Sequence, residues 1–352
     1  MSPSQRPVNC ISIAFDLPHK KAKLEFDMYG KIAIEEHFAI TETVSDSRRM
    51  SGDYWTALDK RLLDLEAQRL DEMEEHGVSH ALLSLNSPAI QGILHTQLAI
   101  ETAERANDIL ARHVQRHPQH FNGFAALPMQ DPTVATEELN RCVKELGFKG
   151  ALVNSFSQRQ GRSGPIYYDL PEYLEFWNHV QELGVPFYLH PRNPLPDPRY
   201  DGHPWLIGSP WSFGEETALH ALRLMASGLF DKYPRLNIIL GHLGERIPYD
   251  IARLEHRLKQ RPDCPARKPF SHYLSNNFFI TTSGHFRTQT LLAAMSEISA
   301  DRILFAVDYP FETHSDACLW FDSAPISDID KIKIGRNNAI NLFQLQFESQ
   351  CE

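Results

Sequence analysis

The chain has 352 residues, 42% of them hydrophobic and 23% charged, and 35 basic against 45 acidic side chains leave a net charge of −10. That is too long for a disulfide-stapled mini-domain and too apolar for a disordered chain; it suits one large α/β barrel or two ordinary domains. The acidic balance, with no basic run, argues against nucleic acid as a partner, and no apolar stretch reaches the roughly 18 residues that a membrane helix needs.

Residues 1–29 precede the first strand signal and are expected to form an N-terminal extension to a single catalytic domain over 30–352. The apolar run at 10–15 is too short for a secretory core and is followed by Asp16. From residue 31 onward, apolar runs of strand length recur at 31–37 (KIAIEEH), 80–85 (HALLSL), 121–127 (FNGFAAL), 150–156 (GALVNSF), 186–190 (PFYLH), 237–242 (NIILGH), 278–283 (FFITTS) and 303–308 (ILFAVD). They are continuously apolar rather than alternating, as in strands buried on both faces. The intervening segments have helical spacing. One carries Ala99, Ala103, Ala106 and Leu110 on a single stripe, and another carries Ala218, Leu222, Met225 and Leu229. Eight strand and helix units over about 280 residues predict a closed (β/α)8 TIM barrel rather than a doubly wound open sheet. Long loops at 39–54, 157–171 and 192–213 are expected to cover a pocket.

Five cysteines (Cys10, Cys142, Cys264, Cys318, Cys351) are scattered and form no CxxC pair. The expectation is reduced, cytoplasmic thiols, with neither a disulfide framework nor a thiolate zinc site. There is no GxxxxGK[ST], no GxGxxG after a strand, no GxSxG and no HExxH. Nucleotide hydrolysis, Rossmann redox chemistry and serine hydrolysis therefore lack support.

In a TIM barrel the chemistry sits at the C-terminal strand ends. Glu35 and His37 are two apart on one strand and share a face; His190 ends the fifth run and Asp308 the eighth. Two imidazoles and two carboxylates with no cysteine among them make a set for one divalent ion, Zn²⁺ or Mn²⁺. A barrel core gains nothing from two unpaired buried carboxylates. His242 ends the sixth run, and Glu245, three residues on, can accept its second N–H and fix its tautomer. Thr281, Thr282 and Ser283 offer hydroxyls that can satisfy nearby backbone groups. Phe156, Trp211, Phe213 and Phe311 would together make a flat apolar slot.

Four segments resemble the aromatic acid decarboxylases of the amidohydrolase superfamily: 30–38 (GKIAIEEHF), 190–194 (HPRNP), 241–245 (GHLGE) and 302–312 (RILFAVDYPFE). The resemblance runs from about residue 29 to about 347 and is closest to the γ-resorcylate (2,6-dihydroxybenzoate) branch. Phe38-Ala39-Ile40 after the first motif, 200–205 (YDGHPW) and 222–228 (LRLMASG) carry that part of the likeness. The 2,3-dihydroxybenzoate branch has Ala in place of His37. The resemblance implies Glu35, His37, His190 and Asp308 as metal ligands, with His242 and Glu245 beside them. It puts Asn154 and Arg253 near the substrate, and Met50 where γ-resorcylate enzymes carry an aromatic residue over the ring. It also implies a homo-oligomer and no organic cofactor.

The expected reaction is reversible, non-oxidative decarboxylation of an ortho-hydroxybenzoate, such as 2,6-dihydroxybenzoate, 2,3-dihydroxybenzoate or salicylate. Direct loss of CO₂ would leave an aryl carbanion. Protonating the ring carbon that bears the carboxylate, with Asp308 as acid and His242 as its support or replacement, avoids that species. The alternative is a metal-dependent hydrolase on the same barrel, for example one that opens a lactone.

Overall fold

The computed structural model describes residues 30–47 and 53–347. Residues 1–29, Met50, Cys10 and Cys351 lie outside the described residues. Eight strands follow in chain order: β1 (Lys31–Phe38), β2 (Val78–Leu85), β3 (Phe121–Gly123), β4 (Ala151–Asn154), β5 (Phe187–His190), β6 (Ile238–Leu240), β7 (Phe278–Thr281) and β8 (Ile303–Leu304). All pair in parallel, β1 to β3 in one ladder and β4 to β8 in another. Single bridges between Ala125 and Ala151 and between Glu36 and Tyr309 join the two ladders into a closed barrel.

The barrel interior is apolar over its lower part. Ile32, Ile34, Leu82, Phe124, Tyr188, Ile239 and Leu304 belong to one buried cluster, which also takes in Ala339, Phe343 and Leu345 from the C-terminal segment. The ring of Phe343 lies 5.6 Å from that of Phe124. Residues 342–347 share a cavity with Gly147 and Pro186, which precede β4 and β5, so this segment plugs the N-terminal mouth.

β1 departs from regular pairing at two points, between Lys31 and Ile32 and between Ala33 and Glu36, and the second shapes the site. Its pairing with β2 goes from Ala33↔Ala81 to Glu36↔Leu83, three residues against two. The extra residue is a bulge, and a bulge reverses the alternation of a strand. Ile32 and Ile34 therefore point into the barrel below it, while Glu35 and His37 point in above it and Glu36 turns outward.

The helix Thr96–Arg116 buries the expected Ala99, Ala103, Ala106 and Leu110. The second expected stripe is corrected. The helix Ser212–Ala226 buries Thr217, His220, Ala221, Leu224 and Met225, while Ala218 and Leu222 are only partly buried. Leu229 belongs to a separate short helix, because Gly228 takes a positive φ of 78° and ends the first. Thr217 and His220 make the buried face part polar, so apolar spacing alone does not mark it. None of the described helices is long and apolar enough to cross a membrane.

Candidate metal centre and active site

Glu35, His37, His190 and Asp308 meet at the C-terminal mouth, one ligating atom from each lying within 4.8 Å of all the others. Glu35 and His37 are completely buried and His190 nearly so. His190 Nε2 is 3.3 Å from Glu35 Oε1, and His37 Nε2 is 3.3 Å from Asp308 Oδ1.

Each of these candidate ligands is held from behind. Glu35 Oε2 accepts hydrogen bonds from the Tyr188 hydroxyl and from Thr281 Oγ1, the latter at 3.0 Å. His190 Nδ1 donates to Asn154 Oδ1 at 2.7 Å, which leaves a lone pair on Nε2. Ser84 Oγ lies 3.1 Å from His37 Nδ1. The inward atoms are left over: Glu35 Oε1 and His37 Nε2 are buried with no hydrogen-bond partner. Such groups are costly unless something binds them. Two unpaired inward atoms in an N₂O₂ donor set without sulfur fit a divalent cation of the Zn²⁺ or Mn²⁺ type.

His242 stands beside this group. Its Nε2 is 3.7 Å from both Glu35 Oε1 and Asp308 Oδ2, and its Nδ1 is 2.8 Å from Glu245 Oε1. Burial alone would lower its pKa, but Glu245, Glu35 and Asp308 outweigh that and hold it well above the usual imidazole value. Burial would raise both carboxyls. Glu35 is instead held well below the usual range by His242, His190 and His37, and Asp308 is lowered by His242 and His37. Burial dominates at His190 and lowers its pKa.

The backbone carrying these groups is strained. His242, Leu243, Gly244, Glu245 and Arg246 have φ of 52°, 56°, 83°, 50° and 68°, and Asp308 has 79°. Left-handed conformations cost about 1–2 kcal/mol for each non-glycine residue. The expected extension of β6 to His242 is thereby corrected: the strand stops at Leu240 and the left-handed turn aims the imidazole sideways at Asp308. Gly284 leaves room for this approach, since a Cβ there would lie 3.2 Å from the His242 ring and 3.3 Å from Asp308 Oδ2.

A cavity of about 360 Å³ opens beside His242 and Asp308 and is lined also by Phe213, Arg246, His285 and Glu312. Phe311 packs edge-on to His37 with ring centroids 5.6 Å apart. Other expected site residues fall elsewhere. Asn154 spends its amide hydrogens on Asn86 and Pro88 carbonyls and its oxygen on His190, so it orients a ligand rather than facing the cavity. Arg253 is exposed on the helix Ile247–Leu258 and lines a different groove with Leu222 and Leu258. Phe156 is fully buried under the Arg192 guanidinium, 4.2 Å from its ring centroid, and Trp211 is stacked by Arg246 at 3.8 Å. Of the expected aromatic slot, Phe213 and Phe311 remain at the site.

The sequence reading missed Ser84, Tyr188, Arg246, His285 and Glu312. Tyr188 was legible in principle, two residues before His190 on the inward face of β5. Ser84 pairs with His37 across β1 and β2, a register that no single sequence reveals.

The profile of the amidohydrolase family matches residues 56–345. A γ-resorcylate decarboxylase of Rhizobium sp. (strain MTP-10005) is 58% identical over 324 residues, covering 90% of this chain and 99% of that protein. A crystal structure of 2,6-dihydroxybenzoate decarboxylase complexed with 2,6-dihydroxybenzoate superposes with a TM-score of 0.88 at 57% identity, covering 90% of this chain and all of that one. A dihydroxybenzoic acid decarboxylase from Polaromonas sp. JS666, with bound manganese and the inhibitor 2-nitroresorcinol, gives the same TM-score and identity over 90% of this chain and 97% of that one.

Proposed function

The chain belongs to the amidohydrolase family, and we propose that within it this protein is a divalent-metal-dependent decarboxylase of ortho-hydroxybenzoates, with 2,6-dihydroxybenzoate as its substrate. The observation that carries this reading is the convergence of Glu35, His37, His190 and Asp308, two of them with unsatisfied inward atoms, beside a cavity of about 360 Å³. The identity of more than half to γ-resorcylate decarboxylases supports the substrate. Manganese in a similar solved structure supports Mn²⁺ as the ion.

The four residues would hold one ion, which would supply positive charge to attract the anionic substrate and favour its phenolate. The protein must then deliver a proton to the ring carbon bearing the carboxylate, after which CO₂ leaves and the ring regains aromaticity. Asp308 is the proposed donor at the ring, because its carboxyl borders the cavity; ionised at rest, it first takes the proton from His242, which the carboxylates around it keep protonated. His242 faces Asp308 Oδ2 at 3.7 Å and is held in one orientation by Glu245, so it is placed to return a proton to Asp308. Phe213 and Phe311 border the ring and keep water from it. No residue is needed for electron transfer, because the reaction is redox-neutral.

The proposal includes a homo-oligomer acting in the cytoplasm. Trp205 and Leu219, exposed by 66% and 48%, support an apolar contact surface, and Cys142, Cys264 and Cys318 are free thiols. Light scattering on the purified chain tests the first point.

The activity test is metal removal and reconstitution with Mn²⁺ or Zn²⁺, followed by CO₂ release from 2,6-dihydroxybenzoate, 2,3-dihydroxybenzoate, salicylate, 6-methylsalicylate and orsellinate. Metal-dependent release, fastest with 2,6-dihydroxybenzoate, is expected. Lactone hydrolysis without CO₂ release from any of the acids would replace this reading with the hydrolytic one.

A further inference from the structure

The layer between a parallel barrel and its helices is ordinarily apolar. Behind the seam of β1 and β8 it is charged. Glu36, turned outward by the bulge, is 1% exposed, and its Oε1 accepts from the backbone N–H of Val307 at 3.1 Å. Its Oε2 faces His314 Nε2 at 3.4 Å, and His314 Nδ1 faces Glu72 Oε2 at 3.7 Å. Glu72 Oε2 also pairs with Arg61 Nη2 at 3.0 Å.

Arg69, on the helix Ala67–Glu75, is the sharpest oddity. It is fully buried, and no ion pair to it forms among the described residues. Its Nη2 donates to the backbone carbonyl of His37 at 2.5 Å, and its Nε to that of Asp64 at 3.2 Å. Its guanidinium stacks on Tyr309, 4.5 Å from the ring centroid, and Arg61 lies 4.6 Å from the same centroid.

These contacts fall beside the proposed ligands. His37 is itself a ligand, while Val307 and Tyr309 flank Asp308. The seam is also one of the two joints where the ladder is reduced to a single bridge. β8 is two residues long, and Asp308 is held to β1 by its own N–H on the Glu35 carbonyl at 2.9 Å and by His37 N–H on the Tyr309 carbonyl at 2.6 Å. Glu35 and Asp308 are like charges in a buried site and repel each other before a cation arrives. A buried arginine without an ion pair is expensive to desolvate. Its contacts spend that cost on the backbone that three of the four ligands share.

We propose that Arg69, backed by the Glu36–His314–Glu72 chain, is a positioning residue that clamps the β1–β8 seam and keeps Glu35, His37 and Asp308 convergent for metal binding. The inference rests on reading those residues as a metal centre and is independent of the substrate.

The test measures Mn²⁺ affinity by chelator competition on the metal-stripped full chain, with thermal unfolding of the same samples. Arg69→Lys keeps the charge and loses the planar fork; Glu36→Gln keeps the shape and loses the charge. Glu138→Gln removes a buried acid elsewhere, one that pairs with Arg141, and serves as control. Arg69→Lys and Glu36→Gln should each weaken Mn²⁺ binding about tenfold or more, the range for groups that orient metal ligands. Glu138→Gln should lower only the unfolding temperature. If Arg69→Lys does not fold, Glu36→Gln decides by the same measurement. Wild-type affinity in the folded seam variants, with only their stability reduced, overturns the clamp. A wild-type chain that binds no Mn²⁺ overturns the metal centre and the clamp with it, a result distinct from loss confined to the variants.

Discussion

The two mouths of the barrel are built from the same eight strands and share almost no chemistry. At the N-terminal mouth Ile32, Ile34, Phe124 and Leu304 pack with Phe343 and Leu345 in an apolar plug. At the C-terminal mouth Glu35, His37, His190 and Asp308 face one another with two inward atoms unsatisfied, on backbone with positive φ at 242–246 and at 308. Within β1 the change takes place between Ile34 and Glu35, at the bulge. One end closes the fold, and the other holds unfavourable contacts that a ligand must relieve. Stability and activity should therefore respond separately to substitution at the two ends.

The largest effect is expected at Asp308. Asp308→Asn keeps the shape and removes the acid, so CO₂ release should fall by about 10³-fold, in the range for general acids, with circular dichroism unchanged. Near wild-type turnover would remove Asp308 from the proton path. His37→Ala should sharpen the same side of the comparison. It deletes a completely buried imidazole, the proposed ligand, and metal content after dialysis, read by elemental analysis, should fall to a small fraction of the wild-type value. Full loading would show that His37 does not hold the ion.

The opposite substitution belongs at the plug. Phe124 is 1% exposed and meets Phe343 and Tyr188 edge-on, at 5.6 and 6.0 Å. Phe124→Ala should cost about 3–5 kcal/mol in denaturant unfolding, as large-to-small core changes do, while the folded fraction binds metal normally. Loss of metal affinity without loss of stability would mean that the two ends are not independent.

How far this division could be read from sequence differs by residue. His37, His190 and Asp308 stand out because each ends an apolar run, Glu35 because it shares a face with His37, and buried carboxylates call for a partner. The eight strands were legible for the same reason, although β8 has only two paired residues. The bulge was not legible, since Ile32, Ile34, Glu35 and His37 do not betray a phase change until the pairing with β2 is seen. Arg253 was misplaced because the resemblance supplied a residue but not the face of the helix that carries it. Glu36 and Arg69 were overlooked because a charged residue in a single sequence gives no sign of whether it is buried.

His220 probes whether polarity near the upper mouth always serves the ligand. It is fully buried behind Ser155, the residue after β4, with Nδ1 3.3 Å from Ser155 Oγ and Nε2 accepting from the Tyr168 N–H at 3.1 Å. No acid faces it. Burial, with Arg223 adding to it, pushes its pKa down to about 3. In the unfolded chain the imidazole titrates near its ordinary value of about 6.5, so between about pH 3 and 6.5 the unfolded state binds a proton that the native state refuses. Stability should therefore rise with pH across that window and be lost as pH falls through it, with a slope of at most about 1.4 kcal/mol per pH unit from this group. His220→Gln should flatten that part of the stability profile and leave Mn²⁺ affinity unchanged. A parallel loss of metal affinity would extend the proposed site to the outer layer behind β4 and blur the boundary between the groups that hold the fold and those that hold the ion.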